Sequence, residues 1–294
     1  MANRPLILAL ALLVAGLGGG LGFDDAPPRP EVRRGRWRVL EADFHAHTSF
    51  SDGSLSPYGL VRQASRRGLD VIGVTEHNAI FPAESARFWS RNLAGPTVVV
   101  GQEVTTSRFH VIGLGLWRTV SPGVELGGVL DEIHAQGGVA IAAHPVKRYW
   151  PALTPVRAKL DGSEVMHPLA FTSMLAGWRW QDLVTFHEGG DLMAIGSSDY
   201  HWGTHLGWCR TLVFADDDRE ASVLDALRHH RTVVYDRDGK AWGDPEAIAQ
   251  LAAEPYAFRP IDYSYKGKGP ADRVLRIAGW VGILLLVVLE RRRR

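Results

Sequence analysis

The sequence predicts an α/β barrel, on three observations. Continuously apolar segments alternate with amphipathic, helix-like segments from residue 38 to 235, the apolar segments end in His, Asp or Glu, and the chain is 46% hydrophobic and 22% charged over 294 residues, enough for a sizeable core. Strands that are apolar throughout and separated by helices imply a parallel sheet covered on both faces. About seven such units in roughly 200 residues fit a closed barrel better than an open sheet.

Taken in order, "PLILALALLVAGLGGGLGF" (5–23) is an apolar run behind Arg4, so 1–23 reads as a signal peptide or an N-terminal membrane anchor. A Pro- and Arg-rich linker, 24–37, leads to the barrel, 38–235. "WRVLEADFH" is the first strand, and "SPYGLVRQASRRG" a helix with Ser56 as N-cap and Pro57 at its first position. "LDVIGVTEH" is the second strand and "PAESARFWSRNL" a helix; "TVVVGQEVTT" and "FHVIGLGL" are strands joined by a short turn. "GVELGGVLDEIHAQGG" is a helix closed by glycines, "VAIAAHP" a strand and "HPLAFTSMLAGWRW" helical. "LVTF", "LMAIGSSDYH" and "RTLVFA" read as strands, "DREASVLDALRHHR" as a helix and "TVVY" as the last strand.

Residues 236–272 form a polar juxtamembrane linker with one short helix at 245–253. "IAGWVGILLLVVL" (277–289), extended by Val274 and Leu275 with Arg276 snorkelling, gives a C-terminal transmembrane segment over 273–290 and a basic tail, 291–294. Arg291 to Arg294 place the termini in the cytoplasm and the barrel outside it, membrane-anchored and periplasmic, although Arg29, Arg33, Arg34, Arg36 and Arg38 argue the other way. A net charge of +1 gives no bulk attraction to nucleic acid, and the basic linker would more simply meet anionic lipid. Cys209 is the single cysteine, so no intrachain disulfide forms.

The strand ends carry the chemistry. His45 and His47 sit two apart on one strand and therefore share a face, either hydrogen-bonded to each other or bound to one cation. Asp52 follows, the second strand ends in Glu76 and His77, and the third in Glu103. His110 opens the fourth, His144 ends "AAHP", and Asp199 and His201 end "GSSDYH". A barrel would bring these ends to one face. Nitrogen and oxygen donors without thiolate suit zinc, manganese or iron. His134 and the His229–His230 pair read as solvated helix residues, and His167 and His205 as surface groups.

"DFHAHTSFSDG", "TEHN", "GQEVTT", "AHP" and "GSSDYH", in this order over residues 40 to 235, resemble the successive motifs of the PHP (polymerase and histidinol phosphatase) superfamily. The resemblance implies a distorted (β/α)7 TIM-like barrel with two or three divalent metal ions at the C-terminal ends of its strands. It assigns one metal to His45, His47, Glu103 and Asp199, with Glu103 bridging to a second held by His144 and His110, and a third to Asp52, His77 and His201. Asp199, His201 and Glu103 are expected to serve catalysis as well. Glu76 departs from the Asp the family more often carries, and a membrane setting is not the family's usual one. Lys147 and Arg148, directly after "AHPV", are expected to hold phosphate, and His187 lies where relatives often carry a polar residue near the substrate.

The expected function is metal-dependent hydrolysis of a phosphomonoester or phosphodiester by a metal-activated hydroxide in a di- or trinuclear centre. Two alternatives stand beside it. Polarising a carbonyl needs the same chemistry, so a carbamate, amide or ester hydrolase fits too, and the aromatic residues Tyr149, Trp150, Tyr200, Trp202 and Trp208 are compatible with it. A non-catalytic membrane module would normally lack ligands, and none is missing. The expected partners are a small-molecule or phosphate-ester substrate and the membrane; a nuclease is a sub-case of phosphoesterase, with no aromatic-basic stripe to indicate nucleic acid.

Overall fold

A computed structural model of the chain describes residues 4–22, 30–123, 125–171, 174–202, 204–259 and 269–291. The expected linker positions 24–29 and 260–268 and the tail residues 292–294 lie outside them. The chain divides into two compact units, Met1–Ala26 with Asp262–Arg294, and Pro27–Ile261.

The larger unit contains, in order, β1 (Arg33–Arg34), β2 (Trp37–Asp43), α2 (Pro57–Arg66), β3 (Val71–Val74), α3 (Phe81–Asn92), β4 (Thr97–Thr105), β5 (His110–Leu114), α4 (Leu126–Ala135) and β6 (Val139–Ala142). It continues with α5 (Trp150–Leu153), β7 (Gly162–Met166), α6 (Met174–Glu188), β8 (Met193–Gly196), β9 (Thr211–Ala215), α7 (Glu220–Arg228), β10 (Thr232–Tyr235), β11 (Ala241–Gly243) and α8 (Pro245–Ala253). The strands form one sheet in the order β11-β10-β9-β2-β3-β4-β5-β6-β7-β8, with β1 on β2. The helix starts follow their sequence signals: Ser56 Oγ accepts the Gly59 N–H at 3.1 Å before Pro57.

The sheet curls into a nearly closed barrel. Leu40, Val71, Val99, Ile112, Ile141, Ile195 and Val213, from seven strands, share one buried cluster, which Val223, Ala226 and Leu227 of α7 complete. At the seam between β8 and β9–β10, threonine hydroxyls stand in for a ladder. Thr211 Oγ1 donates to the Gly196 carbonyl at 2.8 Å and accepts its N–H at 2.9 Å, and Thr232 Oγ1 donates to the Ala194 carbonyl at 2.8 Å.

Three expectations need correcting. The sheet is mixed: β2–β3–β4 and β6–β7–β8 are parallel, but β4–β5–β6 and β2–β9–β10–β11 are antiparallel. "LVTF" lies within α6; an apolar run of four cannot by itself be told from a buried helical turn. The missing strand is β7, "GSEVM", whose Gly, Ser and Glu hide it from any apolar pattern.

The smaller unit pairs α1 (Arg4–Gly22) with α9 (Gly269–Arg291), which meet where glycine lets backbones approach: a Cβ on Gly16 would lie 2.4 Å from the Gly279 Cα. Among the described residues no helix is long and apolar enough to cross a membrane. In α9 the uncharged stretch is 277–289, about 20 Å of helix against a hydrocarbon layer of roughly 30 Å. In α1 the apolar run gives way to five glycines between 16 and 22. The expected membrane anchor, transmembrane segment and periplasmic placement are therefore not supported.

Candidate metal centre

The first strand overruns its ladder to deliver two histidines. Beyond β2, residues 45–47 zip onto 199–201: Tyr200 N–H donates to the His45 carbonyl at 3.2 Å and His47 N–H to the Tyr200 carbonyl at 3.1 Å. The Asp43 carboxylate, which burial pushes up despite its hydrogen bonds, fastens the same segments, accepting the N–H groups of Ser198 at 3.0 Å and Gly207 at 2.7 Å. Residues some 150 positions apart in sequence thus meet side by side. In the "SDG" turn Gly53 donates to the Thr48 carbonyl at 2.9 Å, and a Cβ there would lie 2.3 Å from the His47 carbonyl oxygen.

Among the described residues three sets of donor atoms converge: His45, His47 and Asp199; His45, Glu103 and His144; and His47, Asp52, His77 and His201. In the first, His45 Nε2 and His47 Nε2 are 3.0 Å apart and face Asp199 Oδ1 at 3.2 and 3.3 Å. Donors about 2.0–2.1 Å from a common ion stand roughly 3.0–3.4 Å from each other. Glu103 lies at the middle: Oε1 meets His110 Nδ1 at 2.8 Å and His144 Nε2 at 3.2 Å, and Oε2 meets His77 Nδ1 at 2.8 Å. In the outer set Asp52 faces His77 Nε2 at 3.3 Å and His201 Nε2 at 3.2 Å. His110 touches Glu103 and stacks on Tyr149 with ring centroids 4.8 Å apart, but belongs to none of the three sets.

The donor chemistry fits divalent cations on two further counts. His47 Nδ1 and Asp199 Oδ1 are buried without a hydrogen-bond partner among the described residues, and the nitrogens turned away from the donor sets are tied down. His45 Nδ1 pairs with Glu164 Oε1 at 2.8 Å, His201 Nδ1 donates to the Asp199 carbonyl at 2.8 Å, and His77 Nδ1 meets Thr105 Oγ1 at 2.7 Å. Each tie leaves Nε2 to face its set, as metal-binding histidines require. His144 and Asp199 have φ of 27° and 43°, left-handed conformations that cost non-glycine residues roughly 1–3 kcal/mol and gather at functional sites.

The electrostatics agree. Burial alone would lower His45, but the carboxylates of Asp199, Glu164 and Glu103 outweigh it and hold the imidazole well above its usual range. His47 is held at about 9, against burial, by Asp199 and Glu76. Glu103 and Asp199 are kept well below the carboxylate range, again against burial, chiefly by His45. A field that keeps protons on buried imidazoles also attracts metal ions in their place. Glu76 is held down at about 2, against burial, by His47, Ser51 and Thr48; it accepts the Thr48 N–H at 3.0 Å and braces the loop carrying Asp52.

Beside the donors opens a cavity of about 300 Å³ lined by His144, Lys147, Arg148, His167, Arg179 and Asp199, among others. Lys147 is steered by buried Asp182, whose Oδ2 accepts the Lys147 N–H at 3.1 Å and whose Oδ1 lies 3.5 Å from Nζ. Arg148 rests over the Tyr149 ring at 4.4 Å. His187 is not brought to the cluster. It bonds Ser163 Oγ through Nδ1 at 2.9 Å, at the start of β7, and packs edge-on against Trp242.

Sequence reasoning missed Glu164, His167, Arg179 and Asp182. His167, read as a surface group, is buried and 3.2 Å from Asp199 Oδ2. His134, read as solvated, is half-buried and bonded to Asp161 at 2.9 Å. A Glu inside a short segment between two apolar strands was the one available signal for Glu164.

Residues 43–137 match the PHP domain family. An uncharacterised protein of Methanocaldococcus jannaschii is 30% identical over 141 residues, 44% of this chain and 82% of that protein. A 5'-3' exoribonuclease of Haemophilus influenzae is 31% identical over 81 residues, 26% of this chain, and the match spans only 29% of that enzyme. A crystal structure from Bacteroides vulgatus, of a two-domain protein described as containing a predicted PHP-like metal-dependent phosphoesterase, shares the fold with a TM-score of 0.60 at 23% identity, covering 78% of this chain and 74% of that one. With a barrel of this kind and motifs that meet at one end of it, the chain belongs to the PHP domain family and is a metal-dependent hydrolase.

Proposed function

We propose that the chain is a phosphoesterase, hydrolysing a phosphomonoester or phosphodiester in a centre of two or three divalent ions. The observation that carries this reading is the opening of the donor cluster onto a cavity walled by Lys147, Arg148 and Arg179. His45, His47 and Asp199 would hold one ion, Glu103 with His144 a second, and Asp52, His77 and His201 a third, with His110 supporting Glu103. Ions bound there supply Lewis acidity, acidifying water and neutralising charge on phosphoryl oxygens.

The chain's own residues do the rest. Glu103 and Asp199, kept ionised, offer anionic oxygens at neutral pH. Glu164, Thr105 and the Asp199 carbonyl fix the imidazole tautomers. Lys147, aimed by Asp182, and Arg148 orient the phosphate's anionic oxygens, Arg148 with a planar fork suited to two of them. Three cations match a phosphate dianion better than a neutral carbonyl, which favours this reading over an ester or amide hydrolase.

The test uses purified protein stripped with chelator and reloaded with manganese or zinc, assayed on phosphomonoesters, phosphodiesters and aryl esters side by side. Metal-restored turnover of a phosphate ester is expected. Turnover confined to the carboxylic esters, or none at all, overturns the assignment.

A further inference from the structure

His167 stands outside every donor set, yet its surroundings are built. It directly follows β7, is buried, and lines the cavity beside His144 and Asp199. Pro168 starts the turn that follows, and the next N–H, from Leu169, donates to His167 Nδ1 at 3.2 Å. An Nδ1 that accepts a backbone N–H carries no proton, so the ring's proton is on Nε2. That nitrogen faces Asp199 Oδ2 at 3.2 Å. The other oxygen, Oδ1, faces His45, His47 and His201 at 3.2 to 3.3 Å and has no hydrogen-bond partner among the described residues. The two oxygens of Asp199 are thus sorted, one held by a fixed donor and one presented to the donor set.

The strand is shaped for this. Between β7 and β8, Glu164 pairs with Ile195 and Met166 with Gly196, so β7 carries one extra residue. In a regular strand positions three apart point to opposite faces; an inserted residue puts them on the same one. Glu164 and His167 therefore both face the centre, one on His45 and one on Asp199.

We propose that His167 is a positioning residue for metal binding: its Nε2–H holds Asp199 as a one-oxygen ligand, so that β7 and the residue that follows it brace both ends of the first donor set. This rests on the metal-centre reading above and requires nothing of the substrate. The test takes the full chain, strips it, and titrates it with Co²⁺ and Mn²⁺, reading bound-metal stoichiometry, affinity and the visible absorption of cobalt. His167→Phe removes the donor; His167→Gln can place an amide N–H near the position of Nε2. Affinity is expected to fall about 10- to 100-fold in His167→Phe, with a changed cobalt spectrum, and to return to within a few-fold in His167→Gln. Melting of the metal-free forms checks the fold. If His167→Phe does not fold, His167→Asn, long enough to cap Leu169 but too short for Asp199, replaces it.

Wild-type affinity and spectrum in the donor-free variant overturn the proposal, as does a glutamine variant that folds but rescues nothing. Absent phosphoester turnover with these metal differences intact sinks only the substrate assignment. A wild-type chain that takes up no metal sinks both.

Discussion

Glu103→Gln gives the sharpest test of the centre. The side chain is 1% exposed and lies 2.8 Å from His77 and His110, 3.2 Å from His144 and 3.7 Å from both His45 and His47. The amide keeps the shape and removes the one carboxylate all five imidazoles share. Leaving buried cations without their partner costs about 3–5 kcal/mol. In a unit of this size each kcal/mol moves the melting midpoint by about 2–4 °C, so the metal-free variant should melt on the order of 10 °C lower.

The effect has a pH window. Glu103 is depressed in the folded state, so its contribution is present above its ordinary value near 4.5 and disappears only as pH falls well below that. His47 is raised to about 9, so its contribution is full below 6.5 and fades as pH climbs through about 9. The gap between wild type and variant should therefore be widest between 4.5 and 6.5 and narrow towards 9. Thermal melts of stripped protein across this range, with metal stoichiometry by elemental analysis, make the comparison. A shift below about 2 °C at pH 6, with full metal loading, would refute the placement of Glu103 as the shared carboxylate.

Two further outcomes follow from the surroundings of the centre. Arg148→Ala should raise KM for a phosphate ester about tenfold with a smaller change in kcat, and combining it with Arg179→Ala should deepen the loss; steady-state kinetics check this, and equal losses on an uncharged ester would assign both arginines to structure. Burial pushes His187 down to about 4, so as pH falls from 6.5 the unfolded chain takes up a proton that the folded one refuses, and stability drops by up to about 3 kcal/mol. Denaturant titrations at several pH values should show that slope in wild type and lose it in His187→Asn.

What could be read from the sequence follows from where the constraints lie. A metal site at strand ends leaves its donors just past apolar runs, so His45, His47, His77, Glu103, His144, Asp199 and His201 could each be picked out, and the structure gathers them. Braces are harder to see. Glu164 sits on, and His167 just past, a strand with an extra residue and little apolar character, and their value depends on what they touch across more than 30 positions of sequence. Antiparallel pairing of β4, β5 and β6 was foreshadowed only by the short turn between the first two. The terminal helices failed in a different way: apolar composition suggested a span, while glycine content and flanking charge leave the apolar lengths short.

The pairing of 45–47 with 199–201 also bears on how the protein is made. During synthesis His45, His47, Asp52, His77 and Glu103 leave the ribosome long before Asp199 exists. A nascent chain therefore carries only part of the donor cluster, and the pairing of 45–47 with 199–201, just past β8, completes it. The donors delivered early thus stay apart from Asp199 and His201 until the segment after β8 has been made and packed, so the cluster is among the last features of the larger unit to be completed.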